Sequence, residues 1–344
     1  MKSKKSLFLI LDGNALLHRA WHAIPPLTTK DGLVVNAVYG FATVTEKMLD
    51  KVKPTHMAVA WDLPGATFRH EKFEDYKAHR KEKEQELYDQ IPMIQELLDI
   101  YGIPSLSAKG YEADDVIGTL AKKMKKKKDM DVLIVTGDLD ALQLVDEGTH
   151  VLFFQKGISQ TKRYDKKAVI GRYGLRPDQL IDYKALRGDP SDNIPGVAGI
   201  GEKSATLLLQ KFKTLDGVFK GLENGKVEPK FAKKLDGQEE TARISQELAE
   251  IVLDVPVSFR ITSAKLKAPD RAALKEQFRQ YEFRRLLEKY NDADDEGAEA
   301  ITEKKNKKPK QLAAIVRDVG LLREQLRGFH DKTVGFFLFE KQAD

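Results

Sequence analysis

Hydrophobic positions along the chain fall into two alternating kinds of run. Leu7–Leu11, His56–Trp61, Val132–Thr136 and Val151–Phe154 are short and mostly apolar, the pattern of strands buried on both faces. Between them, Ala15–His22, Ala37–Val52, Leu87–Tyr101 and Val116–Lys125 carry apolar residues at helical spacing. In Ala37–Val52 the face is Val38, Phe41, Val44, Met48 and Leu49. Strand–helix alternation of this kind predicts an α/β fold with a mostly parallel central sheet flanked by helices. Beyond Gly171 the pattern turns helical, through Pro177–Leu186, Ala205–Phe212 and the stretch from Thr214 to Tyr290. The expected division is an α/β core over residues 1–185 and a helical part over 186–290.

Parallel sheets place ligands at the carboxyl ends of their strands. Asp12, Asp62, Asp138 and Asp140 all lie at or just past predicted strand ends. Glu112, Asp114 and Asp115 open the helix that follows, and Asp189 and Asp192 lie three residues apart in a turn. Any one such Asp is most simply a cap or turn residue. For Asp114 and Asp115 the helix dipole is also a sufficient explanation. Neither reading predicts that the strand ends at Asp12, Asp62 and Asp138–Asp140 all carry carboxylates. Nine carboxylates on one edge would repel one another strongly unless cations were bound. An all-oxygen ligand set suits Mg²⁺ or Mn²⁺ rather than zinc. The chain has no cysteine, which excludes disulfides and thiolate sites. His18 and His22 are four apart but lack the H-E-x-x-H pattern.

Directly after Asp192 comes a glycine-rich segment, Gly196-Val-Ala-Gly199-Ile-Gly201-Glu-Lys203, which runs into the helix Ala205–Phe212. Closely spaced glycines before a helix N-terminus suit a phosphate. An ordinary helix–turn–helix corner explains the glycines as well. A nucleotide P-loop does not, because Glu202 separates Gly201 from Lys203-Ser204. The segment Phe68–Glu86 is highly charged and interleaved with Phe68, Phe73 and Tyr76. It reads equally as a solvated helix or as a mobile basic arm, gripping phosphates through Arg69, Lys77 and Arg80 while its aromatics stack on bases.

Composition narrows the class. The 344 residues, 41% hydrophobic and 32% charged, describe a soluble globular protein of one or two domains. No apolar run is long enough for a bilayer, so no membrane partner is expected. The basic N-terminus followed by Leu7–Leu11 mimics a signal peptide but is too short, which makes the cytoplasm the default location. A net charge of +5 is mild, yet Lys and Arg cluster at 77–83, 122–128 and 203–213. Basic surfaces around an acidic centre are what a metal nuclease needs to approach a polyanion. Residues 291–311 are acidic and then basic, as in a linker, and 312–344 look like the start of a further domain.

With these residues in view, the chain resembles the 5′-nuclease (flap endonuclease) family, in the branch that forms the N-terminal domain of bacterial DNA polymerase I. The matching motifs are LILDGNALLHRAW at Leu9–Trp21, AVAWD at Ala58–Asp62, FRHEKFEDYKAHR at Phe68–Arg80, YEADD at Tyr111–Asp115, TGDLDALQLV at Thr136–Val145 and GDPSDNIPGVAGIGEKSA at Gly188–Ala205. The resemblance implies a PIN-like nuclease core, a helical arch over about residues 68–90 and a helix–hairpin–helix subdomain. It implies that the nine carboxylates hold two Mg²⁺ ions, with Asp12, Asp62 and Asp140 catalytic and Lys77 and Arg80 on the phosphate. It further implies DNA contacts from Arg69, Tyr76, Gly199, Gly201 and Lys203, often with K⁺ at the hairpin. The substrates implied are DNA with a 5′ flap, nick or 5′ end, or an RNA primer strand, and the expected partner is a polymerase domain in cis or in trans. After Arg80 this chain has Lys-Glu-Lys-Glu-Gln-Glu where relatives commonly carry proline. A non-catalytic DNA-binding module and an RNA-directed nuclease are the rival readings.

Overall fold

The computed structural model describes residues 5–79, 84–127 and 129–295, with side chains to 290. A six-stranded sheet forms the centre, in the order β3 (Ser105–Leu106), β2 (His56–Ala60), β1 (Ser6–Asp12), β4 (Met130–Thr136), β5 (Thr149–Lys156) and β6 (Gln160–Tyr164). All neighbours run parallel except β5 and β6. The polar strand β6, unread in the sequence, closes one edge as an antiparallel hairpin with β5.

Alternation along β1 builds two cores. Leu9 and Leu11 face one side, with α1 (Gly13–Ala23), α2 (Asn36–Lys51) and α5 (Ile91–Tyr101); Phe8 and Ile10 face the other, with α6 (Ala113–Lys125). Both faces are covered, which is why the strands read as continuous apolar runs. The expected helix Leu87–Tyr101 is broken into α4 (Gln85–Tyr88) and α5, which carries Pro92 in its first turn. Before them, the arch segment supplies only α3 (Phe68–Lys72) and a run of turns to His79. Arg80, assigned to the phosphate, lies outside the described residues, as do 296–311 and 312–344. The change of composition at Asn291 does not end a helix, since α14 (Arg284–Asp295) continues through it.

A third core belongs to the helical part. It is built by α8 (Leu180–Arg187), α9 (Glu202–Phe212), α10 (Leu215–Glu223), α11 (Pro229–Leu235) and α12 (Glu239–Ala249) around Leu186, Leu209, Leu215, Val218 and Leu235. Between α8 and α9 the chain makes a hairpin loop over residues 188–201. Gly188 and Gly196 both have positive φ, and a Cβ on Gly196 would stand 2.2 Å from the Gly188 nitrogen. Only glycine lets the two sides of this loop close on each other.

Candidate active site

The strand-end rule delivers its carboxylates. Asp12 ends β1 and caps α1, accepting from Ala15 N–H at 2.9 Å through Oδ1 and from the Thr136 hydroxyl at 2.6 Å through Oδ2. Asp62 follows β2; its Oδ1 accepts from Ala113 N–H at 2.6 Å, and its own N–H donates to Asn14 Oδ1 at 2.9 Å. Asp138 and Asp140 follow β4, joined by the Asp140 N–H donating to Asp138 Oδ1 at 2.8 Å. Asp12, Asp114 and Asp140 each lie close enough to other carboxylates of this edge to feel their charge. Burial, reinforced by Asp62 and Asp138, pushes the Asp12 carboxyl up to about 7. Burial and then Asp138 likewise raise Asp140 to about 7, against the pull of Lys184.

Asp114 is the outlier. As a residue it is half-buried, yet its Oδ1 is enclosed and accepts no hydrogen bond. Burial, followed by repulsion from Asp138, Asp12, Asp140 and Glu112, holds its carboxyl well above the usual range. A buried acceptor without a donor is costly. A hard cation among oxygen ligands would satisfy it, so the residues present fit a divalent ion. As they stand, no three His, Asp or Glu side chains among the described residues converge on one point as a finished metal cage. Two lysines stand among these carboxylates. Lys184 Nζ bridges Asp140 and Asp189, the latter at 2.6 Å. Lys77 Nζ lies 2.7 Å from Glu112 and 3.9 Å from Asp192.

Asp115, next to Asp114, differs in kind. It is fully buried, and its two oxygens receive Arg69 Nη1 and Nη2 at 2.7 and 2.8 Å, Glu112 N–H at 3.0 Å and Val252 N–H at 2.9 Å. These four hydrogen bonds leave it no oxygen for a metal without dismantling the pair. Arg69 corrects the expectation of a phosphate-gripping arm, for it is 3% exposed and also donates to the Leu248 and Glu250 carbonyls. Tyr76, expected to stack on bases, is buried too; it packs in the cluster with Ile194, Leu248 and Ala249 and donates to Glu112 at 3.2 Å. Lys77 is half-buried at the site, with φ +57.

The hairpin carries the remaining candidates. Gly199, Gly201 and Lys203 are exposed, and Gly201 caps α9 without a side-chain hydrogen bond, which leaves first-turn N–H groups toward solvent. The Gly199 carbonyl accepts from Lys234 Nζ at 2.8 Å. Asp189 and Asp192 sit on the same loop, so the phosphate-binding turn and the carboxylates are one piece of chain. Sequence reasoning missed Lys184, Thr136, Asn14 and Ser191, all of which hold site carboxylates or their backbone. A lysine five residues before Asp189, on a helix leading into the loop, was the available signal.

Two family models cover most of the chain: the 5′-3′ exonuclease N-terminal resolvase-like domain over residues 7–174, and the 5′-3′ exonuclease C-terminal SAM fold over residues 175–272. The chain belongs to the 5′-3′ exonuclease family. Among relatives, DNA polymerase I of Bacillus subtilis is 42% identical over 291 residues, which are 84% of this chain and 32% of that protein. The Mycobacterium tuberculosis DNA polymerase I is 39% identical over 290 residues, with the same shares. The chain thus spans about a third of the length of these polymerases. The exonuclease fold recurs in the zinc-bound T5 5′-exonuclease (TM-score 0.60, 21% identity, 72% of this chain and 90% of that one). It recurs again in the Rad2 catalytic core in complex with DNA substrate (TM-score 0.52, 18% identity, 81% and 88%).

Proposed function

We propose that this chain hydrolyses DNA phosphodiesters at 5′ ends, nicks and 5′ flaps, leaving a 5′-phosphate and a 3′-hydroxyl, as the exonuclease module of a polymerase carried in cis or in trans. The observation that carries this reading is the enclosed, unpartnered Oδ1 of Asp114 among like charges at the carboxyl edge of the sheet. A module that only bound DNA would gain by losing that repulsion. Two Mg²⁺ ions, with Mn²⁺ as a substitute, would supply activation of the attacking water and stabilisation of the leaving oxygen.

The chain's own residues divide the work. Asp12, Asp62, Glu112, Asp114, Asp138, Asp140, Asp189 and Asp192 are the carboxylates that would hold the ions, directly or through water. Asp115 and Arg69 keep the first turn of α6 in place beneath them. Lys77 passes from Glu112 to the phosphate when substrate enters, and Arg80 is the second basic residue assigned to that phosphate. The exposed N–H groups of α9 and Lys203 take the duplex backbone, so binding is sequence-independent and weakens steeply with salt. Lys234 already supplies a cation to the Gly199 carbonyl, and a K⁺ ion would have to use the remaining carbonyls of the hairpin.

The test is cleavage of a 5′-flap DNA, with nicked, single-stranded and RNA-primed controls, in Mg²⁺ and in EDTA. Cutting near the flap junction that EDTA and Asp114→Asn abolish supports the reading. Flap binding without cutting makes the chain a binding module, and preference for the RNA-primed strand moves it to the RNA-directed class.

A further inference from the structure

Lys184 is the feature that neither the motifs nor the carboxylate inventory accounts for. Its ammonium donates to Asp140 Oδ1 and, at 2.6 Å, to Asp189 Oδ2, with the side chain only 15% exposed. Asp189's other oxygen is occupied as well: Oδ1 accepts from the Ser191 N–H at 2.9 Å and from its hydroxyl at 2.6 Å. We propose that Lys184 is a resident counter-ion, holding the place of one divalent cation between Asp140 and Asp189, and that this cation binds only by displacing it. The proposal rests on the nuclease reading above and names what sets its metal affinity.

The geometry decides which contact yields. A small divalent ion sits at roughly 2.1 Å from a carboxylate oxygen, so on Asp189 Oδ2 it would stand within a few ångströms of the ammonium. Two cations cannot share that space without strong repulsion. Ser191 cannot give way cheaply, because its contacts come from the turn itself, which the Asp189–Ile194 pairing closes in both directions. Lys184 can. It is rooted on α8, its four-carbon stem is flexible, and it lines a cleft of about 460 Å³ with Arg187, Tyr183 and Asp138. Swung into that cleft, the ammonium joins Arg187 as a positive wall facing an anionic substrate. Asp114 has no such lysine on its enclosed oxygen. The two ions therefore bind unequally, one to an uncompensated carboxylate and one against an internal competitor.

Calorimetric titration of Mn²⁺ into the full chain, without DNA, reads this directly. The wild type is expected to give a tight phase and a weaker one. Lys184→Met should tighten the weaker phase by about tenfold or more while leaving the other unchanged, and Lys184→Arg should keep it weak. Weakened or unchanged binding in Lys184→Met overturns the proposal and leaves the nuclease reading standing. A wild type that binds no divalent ion removes both. The second measurement needs no variant: reductive methylation of the wild-type chain, followed by mass spectrometry, should label Lys184 faster in saturating Mg²⁺ than in EDTA. Equal or slower labelling in Mg²⁺ overturns the displacement.

Discussion

The two sides of the site treat the same functional group in opposite ways. On the strand-end side, Asp12 and Asp114 lie within the influence of other carboxylates, and the enclosed oxygen of Asp114 has no donor. On the side of α8, the hairpin and the arch, cations are built in. Lys184 holds Asp140 and Asp189, Lys77 holds Glu112, and Arg69 holds Asp115. Burial pushes Asp12 up to about 7, and Asp140 as far despite Lys184, whereas at Asp189 burial is outweighed by Lys184 together with the Ser191 hydrogen bonds, which keep the carboxyl below its ordinary value. A count of carboxylates is therefore not a count of metal ligands. What matters is whether a carboxylate is uncompensated, as at Asp114, or paired with a cation that can leave, as Lys184 can and the buried Arg69 cannot.

The sharpest way to break this contrast is to neutralise the neighbours Asp114 and Asp115 separately. Asp114→Asn should cut flap cleavage by at least about 100-fold, since it removes an interaction made only with the loaded site. The same change should raise the melting temperature in EDTA, because the ionisable group that burial and the neighbouring carboxylates disfavour is gone. Asp115→Asn should do the reverse to stability, costing about 3 kcal/mol in denaturant titrations by leaving the buried Arg69 only the longer contact to Glu112 at 3.4 Å as an ion pair. Equal effects of the two substitutions on both readouts would erase the distinction.

A smaller effect lies in pH. Asp12 and Asp140, at about 7 in the folded chain against 3.8 for the ordinary carboxyl, bind more protons folded than unfolded between those values. Metal-free stability should then fall as pH rises from about 4 to about 7 and level off above. Mg²⁺ should oppose that fall increasingly over the same window, because the ions take the deprotonated forms. Melting curves at pH 5 and pH 8, in EDTA and in Mg²⁺, test the sign of both slopes. The smallest effect belongs to the hairpin. Lys203→Ala should weaken binding to all duplex sequences alike and lower the salt slope by about one, with cleavage at saturating DNA little changed.

The sequence carries the strand ends clearly, because runs such as Leu7–Leu11 are buried on both faces and a sheet of parallel strands directs its carboxyl ends to one edge. That logic places Asp12, Asp62, Asp138 and Asp140. It cannot separate Asp114 from Asp115, because adjacent residues on a helix differ by a rotation that only the packed neighbours Arg69 and Val252 give meaning. Lys184 is legible only in part, since Asp189 lies five residues on but its other partner Asp140 lies 44 residues away. Within residues 68–86 of the arch segment, charge suggests exposure for every position, and it holds for most of the described ones but not for two. Arg69 and Tyr76 instead lie inside, paid for by Asp115 and Glu112.

The central claim is that Asp114, and not Asp115, holds a catalytic cation. A crystal soaked in Mn²⁺ and measured at the manganese absorption edge tests it most directly. An anomalous peak is expected at about 2.1 Å from an Asp114 carboxylate oxygen, with the Arg69–Asp115 pair intact. A peak bonded to Asp115, or full Mn²⁺ occupancy elsewhere with Asp114 untouched, would contradict it.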